Sequence, residues 1–362
     1  MGGSRTPRSI RRIAVGVAVL VAIGAGLLGA APAGARPAQA GPAEAGPTEL
    51  DPLTPLTLLN NWVSTVFGTA NPAAGVVDGA VVFRGAVMSG TDSQIATLPE
   101  GMRPPAPVYL PISLCNAIPG RLFINPQGGI FVSSSQDFSD AQCFTSLEGA
   151  SFTLGPSTRL TLRNGWINGE YGTRPAKARV ANGTVRLTGA ISLGTRSTAF
   201  ILPEGMRPNR PTYVAIDLCN SLPGRLLVLP NGKVKVQAAD AFGTASCFAS
   251  LEGATFRRSG PNPLVLDGTW TGAAFGTRPA KYATSGASIH LVGGVSSGAT
   301  TLITVLPEFH RPQSRAYVRT NLCGAAPGRL IIEPTGEVYA DFADEFSDAQ
   351  CFTSLDGVHF TP

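Results

Sequence analysis

The chain has 362 residues, a formal net charge of +5 and six cysteines. Four arginines, Arg5, Arg8, Arg11 and Arg12, stand in the first 35 residues, which hold no acid, so the remainder carries a formal charge of only about +1. No Lys/Arg cluster is interleaved with aromatics either, and the composition therefore points away from nucleic acid as a partner.

Residues 1–35 read as an export signal: the four arginines are followed by an apolar run over 13–28 and by the small-residue site Ala33-Gly34-Ala35. The run is rich in Gly and Ala, is sixteen residues long against the roughly twenty of a spanning helix, and breaks at Pro32. Ala38-Gln39-Ala40 is an alternative cleavage site, and the pair Arg11-Arg12 would also permit twin-arginine export. No later apolar run is long enough to span a bilayer, and no Cys follows the signal to accept a lipid. The mature chain is expected to be secreted and extracellular, without a membrane span. Residues 36–52, rich in Pro, Ala, Gly and Glu, have little to bury and should form a flexible linker.

The rest of the chain repeats itself. Trp62, Trp166 and Trp270 are 104 residues apart, and the same spacing relates Cys115, Cys219 and Cys323, and again Cys143, Cys247 and Cys351. A unit of this size can bury its own core, unlike the short units of a solenoid, so three domains are expected at 53–155, 156–259 and 260–362.

In the second copy the apolar run Leu160-Thr161-Leu162 precedes Trp166 and the aromatic-Gly-Thr step Tyr171-Gly172-Thr173. Residues 185–191 alternate with period two around Gly189 and predict a half-buried strand. The prolines and glycine of Leu202-Pro203-Glu204-Gly205-Met206-Arg207-Pro208 forbid helix and central strand, so an ordered turn is expected. A strand over 212–218 delivers Cys219. Strands over 225–229 and 233–237 flank Pro230-Asn231-Gly232, the pattern of a β-hairpin, which recurs at Pro126-Gln127-Gly128 and Pro334-Thr335-Gly336. A last strand runs past Phe248 and Phe256 into a short linker at 259–263. No window shows sustained helical periodicity with caps. The fold class is therefore all-β: three tandem β-sandwich domains, jelly-roll-like, each closed by one disulfide.

Six cysteines allow fifteen connectivities, and the repeat selects Cys115–Cys143, Cys219–Cys247 and Cys323–Cys351 if each copy folds alone. Two cysteines without a nearby histidine in the first two copies make a poor zinc site; neither metal nor cofactor is expected.

Histidine usage argues against nucleophilic catalysis. His290, His310 and His359 all lie in the third copy, where the second has Arg186, Met206 and Thr255. Two carboxylates recur in each copy, Glu100, Glu204 and Glu308 in the Leu-Pro-Glu turn and Glu148, Glu252 and Asp356 before the last strand. They meet the minimum for glycoside hydrolysis, although acids beside Gly commonly accept backbone hydrogen bonds instead. Trp62, Trp166 and Trp270, with Tyr109, Tyr213 and Tyr317, are candidates for stacking on a sugar, the alternative being a place in the core. Arg103, Arg207 and Arg311, and likewise Arg121, Arg225 and Arg329, would either hold an acidic glycan or pair with the turn carboxylates.

The segments Thr97-Leu98-Pro99-Glu100-Gly101-Met102-Arg103-Pro104 and Leu202-Pro203-Glu204-Gly205-Met206-Arg207-Pro208 resemble the Thr-Leu-Pro-x-Gly-aromatic-Arg-Pro motif of bacteriophage tail-fibre head repeats. Asn164-Gly165-Trp166 and the Leu-Glu/Asp-Gly steps Leu147-Glu148-Gly149 and Leu355-Asp356-Gly357 are similar too, so the likeness covers most of each copy. Secreted bacterial tandem-repeat proteins of unassigned role, with paired cysteines, look more similar still. Met stands where those phage heads have an aromatic, and Phe309 replaces the glycine in the third copy, so no binding site is transferred. The resemblance implies a β-sandwich for surface recognition and, because such heads are often trimeric, a single-chain pseudo-trimer. The expected function is multivalent binding or adhesion to a surface or cell-envelope ligand, a cell-envelope glycan or a host surface, without enzymatic activity. The alternatives are a structural envelope or extracellular-matrix protein, and a glycoside hydrolase using the turn carboxylates.

Overall fold

The computed structural model describes residues 53–64 and 66–362; the export signal and the linker expected at 1–52 lie outside the described residues. In the second copy, strands Lys177–Ala181 and Thr184–Thr188 form a hairpin across Asn182-Gly183, both with positive φ (47° and 74°). Two left-handed residues in succession match the twist of the flanking strands, which is why Asn-Gly turns them so tightly. The strand expected over 185–191 divides at Gly189 into Thr184–Thr188 and Ala190–Ser192, which lie in different sheets. Gly189 has φ +89°, and a Cβ there would sit 2.4 Å from the Arg174 carbonyl oxygen, so only glycine allows the chain to change sheets at this point.

Each copy builds two four-stranded antiparallel sheets around its own core. In the second copy one sheet orders Thr158–Arg159, Lys177–Ala181, Thr184–Thr188 and Thr255–Arg257, and the other orders Thr198–Ile201, Lys233–Ala238, Pro223–Val228 and Thr212–Asp217. Leu187, Phe200, Leu226, Val236, Leu251 and Phe256 fill the space between them. The first and third copies have equivalent cores around Trp62 and Trp270. Pro223–Val228 and Lys233–Ala238 pair across the turn at 229–233, where Gly232 has φ +83°. The Leu-Pro-Glu segment becomes the single 3-10 turn Glu204–Met206.

One element type differs from expectation. Each copy has one six-residue α-helix, Phe138–Cys143, Phe242–Cys247 and Phe346–Cys351, too short for hydrophobic periodicity to show it. In the first copy Asp137 and Asp140 form a reciprocal cap at its start. Each helix ends at a cysteine bonded to the 3-10 turn that follows the sheet's edge strand. The pairs are Cys115–Cys143, Cys219–Cys247 and Cys323–Cys351, with Cα separations of 5.7, 5.8 and 5.6 Å.

The copies also pack on one another, through the edge strands Val108–Ser113, Thr212–Asp217 and Ala316–Asn321, each of which touches the other two. The hydrogen bonds between copies are cyclic. The hydroxyls of Ser146, Ser250 and Ser354 donate to the carbonyls of Tyr317, Tyr109 and Tyr213, each at 2.6 Å. Arg121 donates to Leu218 O, Arg225 to Leu322 O and Arg329 to Leu114 O. First joins second, second joins third and third joins first, so edge strands that would otherwise present open backbone groups are covered by neighbouring copies.

Candidate functional site

Trp62, Trp166 and Trp270 are only 4–5% exposed. Their indole N–H groups donate to the carbonyls of Asp92, Arg196 and Thr300 at 2.8–2.9 Å. The rings press on Gly90, Gly194 and Gly298, where a Cβ would approach the indole to 1.9–2.0 Å. Buried on both faces, the indoles offer no stacking surface. Arg103, Arg207 and Arg311 neither pair with carboxylates nor meet the other candidates; each donates Nε to a carbonyl of its own turn, Leu98, Leu202 or Leu306.

Tyr109, Tyr213 and Tyr317 do come together with other aromatics, at the seams between copies. At the seam of the first and second copies, Tyr109 lies edge-on to Phe248 at 5.2 Å, and Phe248 in turn lies edge-on to Tyr171 at 5.4 Å. The next seam repeats this with Tyr213, Phe352 and Phe275, at 5.0 and 5.3 Å. The closing seam uses Tyr317, Phe144 and Phe67, at 4.9 and 5.6 Å. Over each tyrosine stands a guanidinium from the same copy, Arg121, Arg225 or Arg329, 4.7–5.0 Å from the ring centre. Clefts of about 170 and 180 Å³ open at two of these seams, walled by the disulfide turns Cys219-Asn220 and Cys115-Asn116.

Local sequence explains the arrangement. The disulfide fixes the end of the short helix, and the next residue, Phe144, Phe248 or Phe352, turns extended and buries its ring as the floor of the cleft. The aromatic-Gly-Thr step supplies the outer wall. Phe67, Tyr171 and Phe275 have φ of +51°, +54° and +53°, left-handed values unusual for bulky residues. They hold rings that are 55%, 60% and 60% exposed. The sequence displayed this triplet three times, but the fact that it meets the tyrosine of another copy comes only from the packing of the copies.

Behind the clefts the interior is charged. Asp217 is bonded by Arg121 Nε at 2.7 Å, and burial pushes its carboxyl up to about 6 against the pull of Arg121. Arg319, on the neighbouring edge strand, donates to Ile112 O and is lowered to about 10 by burial. Burial also raises Tyr109, with Arg121 opposing.

The remaining candidates lie elsewhere. Glu100, Glu204 and Glu308 are exposed at the start of their 3-10 turns, whereas Glu148, Glu252 and Asp356 are buried and accept from the amides of Gly85, Gly189 and Gly293. The two sets occupy different surroundings, one in solvent and one sealed. His290 and His359 stack at 5.2 Å inside the third copy, and burial lowers both, His359 to about 4. Among the described residues no group of three His, Cys, Asp or Glu could hold a metal ion, and no helix is long and apolar enough to cross a membrane.

No family model matches the chain, and searches of curated proteins and of solved structures likewise give no match.

Proposed function

We propose that this protein is a secreted, non-enzymatic, multivalent binding protein whose three aromatic seams take a surface or cell-envelope ligand, with a glycan as the chemical class. The observation that carries this reading is the repeated display of a large aromatic ring in left-handed backbone at each seam. Such conformations cost on the order of 1–3 kcal/mol each and persist where the surroundings impose them, typically at ligand sites. A ring face beside a second aromatic edge suits the apolar face of a sugar. Asn116 and Asn220, on the walls of two clefts, supply amides for its hydroxyls. Three modest sites on one chain give avidity without any strong single site. The likeness to tail-fibre heads in the Leu-Pro-x-Gly-x-Arg-Pro turn agrees with a role in surface recognition.

The test is binding to a glycan array and to cell-envelope polysaccharide by wild type and by the Phe67→Ala, Tyr171→Ala and Phe275→Ala variants. Each single change should weaken apparent affinity for a multivalent surface on the order of tenfold, and the triple variant should not bind. Wild type that binds no glycan and no envelope preparation would favour the structural-protein reading instead.

A further inference from the structure

The three copies differ at one buried position that the aromatic clefts do not involve. In the second copy Arg174 donates Nε and Nη2 to Glu252 Oε1, at 3.0 and 2.6 Å, and Nη1 to the Thr153 carbonyl of the preceding copy at 2.7 Å. In the third copy Arg278 donates Nη2 to Asp356 at 2.7 Å and Nη1 to the Arg257 carbonyl of the preceding copy. Each guanidinium thus ties a buried carboxylate of its own copy to the last strand of the copy before it. The repeat places Ala70, Glu148 and Thr361 at the corresponding positions of the closing seam. The carboxylate and the last strand are present, and the guanidinium is not.

The space that an arginine would occupy is open. A cavity of about 210 Å³ at this seam is lined by Ala70, Arg84, Glu148, Gln313 and Thr361. Among the described residues Glu148 accepts only from the amides of Gly85 at 3.0 Å and Thr361 at 3.4 Å, and no ion pair there includes it. Arg84, where the other copies have Thr188 and Val292, lines the same cavity; its charge favours the ionised Glu148, but no ion pair joins the two and its buried Nε has no partner. A buried carboxylate with no cation hydrogen-bonded to it is costly, and the matching planar donor is a guanidinium.

We infer that the closing seam is a binding site for a guanidinium group supplied from outside the chain, which takes the place that Arg174 and Arg278 fill in cis at the other two seams. The ligand bonds Glu148 with one edge and the Thr361 carbonyl with the other. Since Arg84 is a second wall of positive charge, a ligand that pairs its guanidinium with an anionic group, such as an arginine with a free carboxylate, fits better than a diamine. The inference is independent of the glycan reading, because the two sites share no residue.

The test uses the full chain at pH 8, where Glu148 is ionised, with L-arginine and N-methylguanidinium as probes and the amide resonances of Gly85 and Thr361 as readout. Both probes should shift these two amides saturably, L-arginine at the lower concentration. Ala70→Arg should abolish the shifts and raise the melting temperature, because the variant supplies the missing group in cis. Ala70→Met, which fills the space without charge, should abolish them with no comparable rise. Probes that leave Gly85 and Thr361 unmoved in wild type, or that shift them equally in Ala70→Arg, would overturn the inference. So would N-methylammonium acting as well as N-methylguanidinium.

Discussion

Side chains that look equivalent in sequence separate sharply once their surroundings are compared. Tyr171 and Trp166 are both recurring aromatics five residues apart, yet one is a sealed core group and the other a displayed ring. Both recur in the sequence, where only Trp166 is a stacking candidate; the fold seals it inside its own copy against Gly194 and Phe242 and leaves Tyr171 standing at the seam. Tyr171→Gly separates display from stability. Relief of left-handed strain is worth about 1–2 kcal/mol and is offset by about 0.5–1 kcal/mol of glycine backbone entropy. The melting midpoint in urea should therefore stay within about 1 kcal/mol of wild type while the seam loses its ring. The opposite holds at Gly189, where φ is +89° and a Cβ would meet the Arg174 carbonyl at 2.4 Å. Gly189→Ala should cost more than about 2 kcal/mol in the same assay, from strain and steric overlap together. Glu148 is predicted to shape the pH response. Burial raises its carboxyl to about 7 from an ordinary 4.5, so the folded state holds the proton more tightly than the unfolded state. That contribution is full below pH 4.5 and is lost as pH rises through 7, worth up to about 3 kcal/mol. Asp217 and Asp356, each raised to about 6, act in the same sense, while His359, lowered to about 4, acts oppositely. Comparing Glu148→Gln with wild type isolates the one group. Urea melts at pH 5 and pH 8 should differ less in the variant, and an equal difference would contradict the assignment.

At the scale of elements, signals that were local were legible and signals that depended on a partner were not. The hairpin at 229–233 was readable because Pro, Asn and Gly specify its turn by themselves. The strand Lys177–Ala181 was not foreseen, although Asn182-Gly183 marked its turn, because its own alternation is weak. The six-residue helices escaped because one and a half turns carry no period. Core packing of Ala141, Ala245 and Ala349 and the disulfide together hold each helix against its sheet, and the disulfide also sets the ring of Phe144, Phe248 or Phe352 as a cleft floor. Closing a loop with a separation of 28 residues should contribute roughly 3–4 kcal/mol on the chain-entropy model. Replacing Cys219 and Cys247 together by serine is thus expected to lower stability by about that amount and to unmake the second copy's cleft. A thermal scan of that variant that overlays wild type would contradict this role for the bond.

For the whole molecule, the repetition of one unit was legible from a spacing of 104 that never slips, but its closure was not, since no single copy records what lies across its edge strand. The clefts exist only because that closure sets the tyrosine of one copy against the aromatics of the next. Where the ring closes without a covalent link, from third copy to first, Ser146, Arg329 and Arg319 make polar contacts to Tyr317, Leu114 and Ile112, beside those of Arg315 with Gly68 and of Thr361 with Glu148. The most direct measurement is small-angle scattering of residues 53–362. Closed packing predicts a radius of gyration of about 20 Å and a profile with a single compact maximum. Three beads on a string would give about 30 Å or more and an extended profile, and that result would remove the seams and with them the proposed sites.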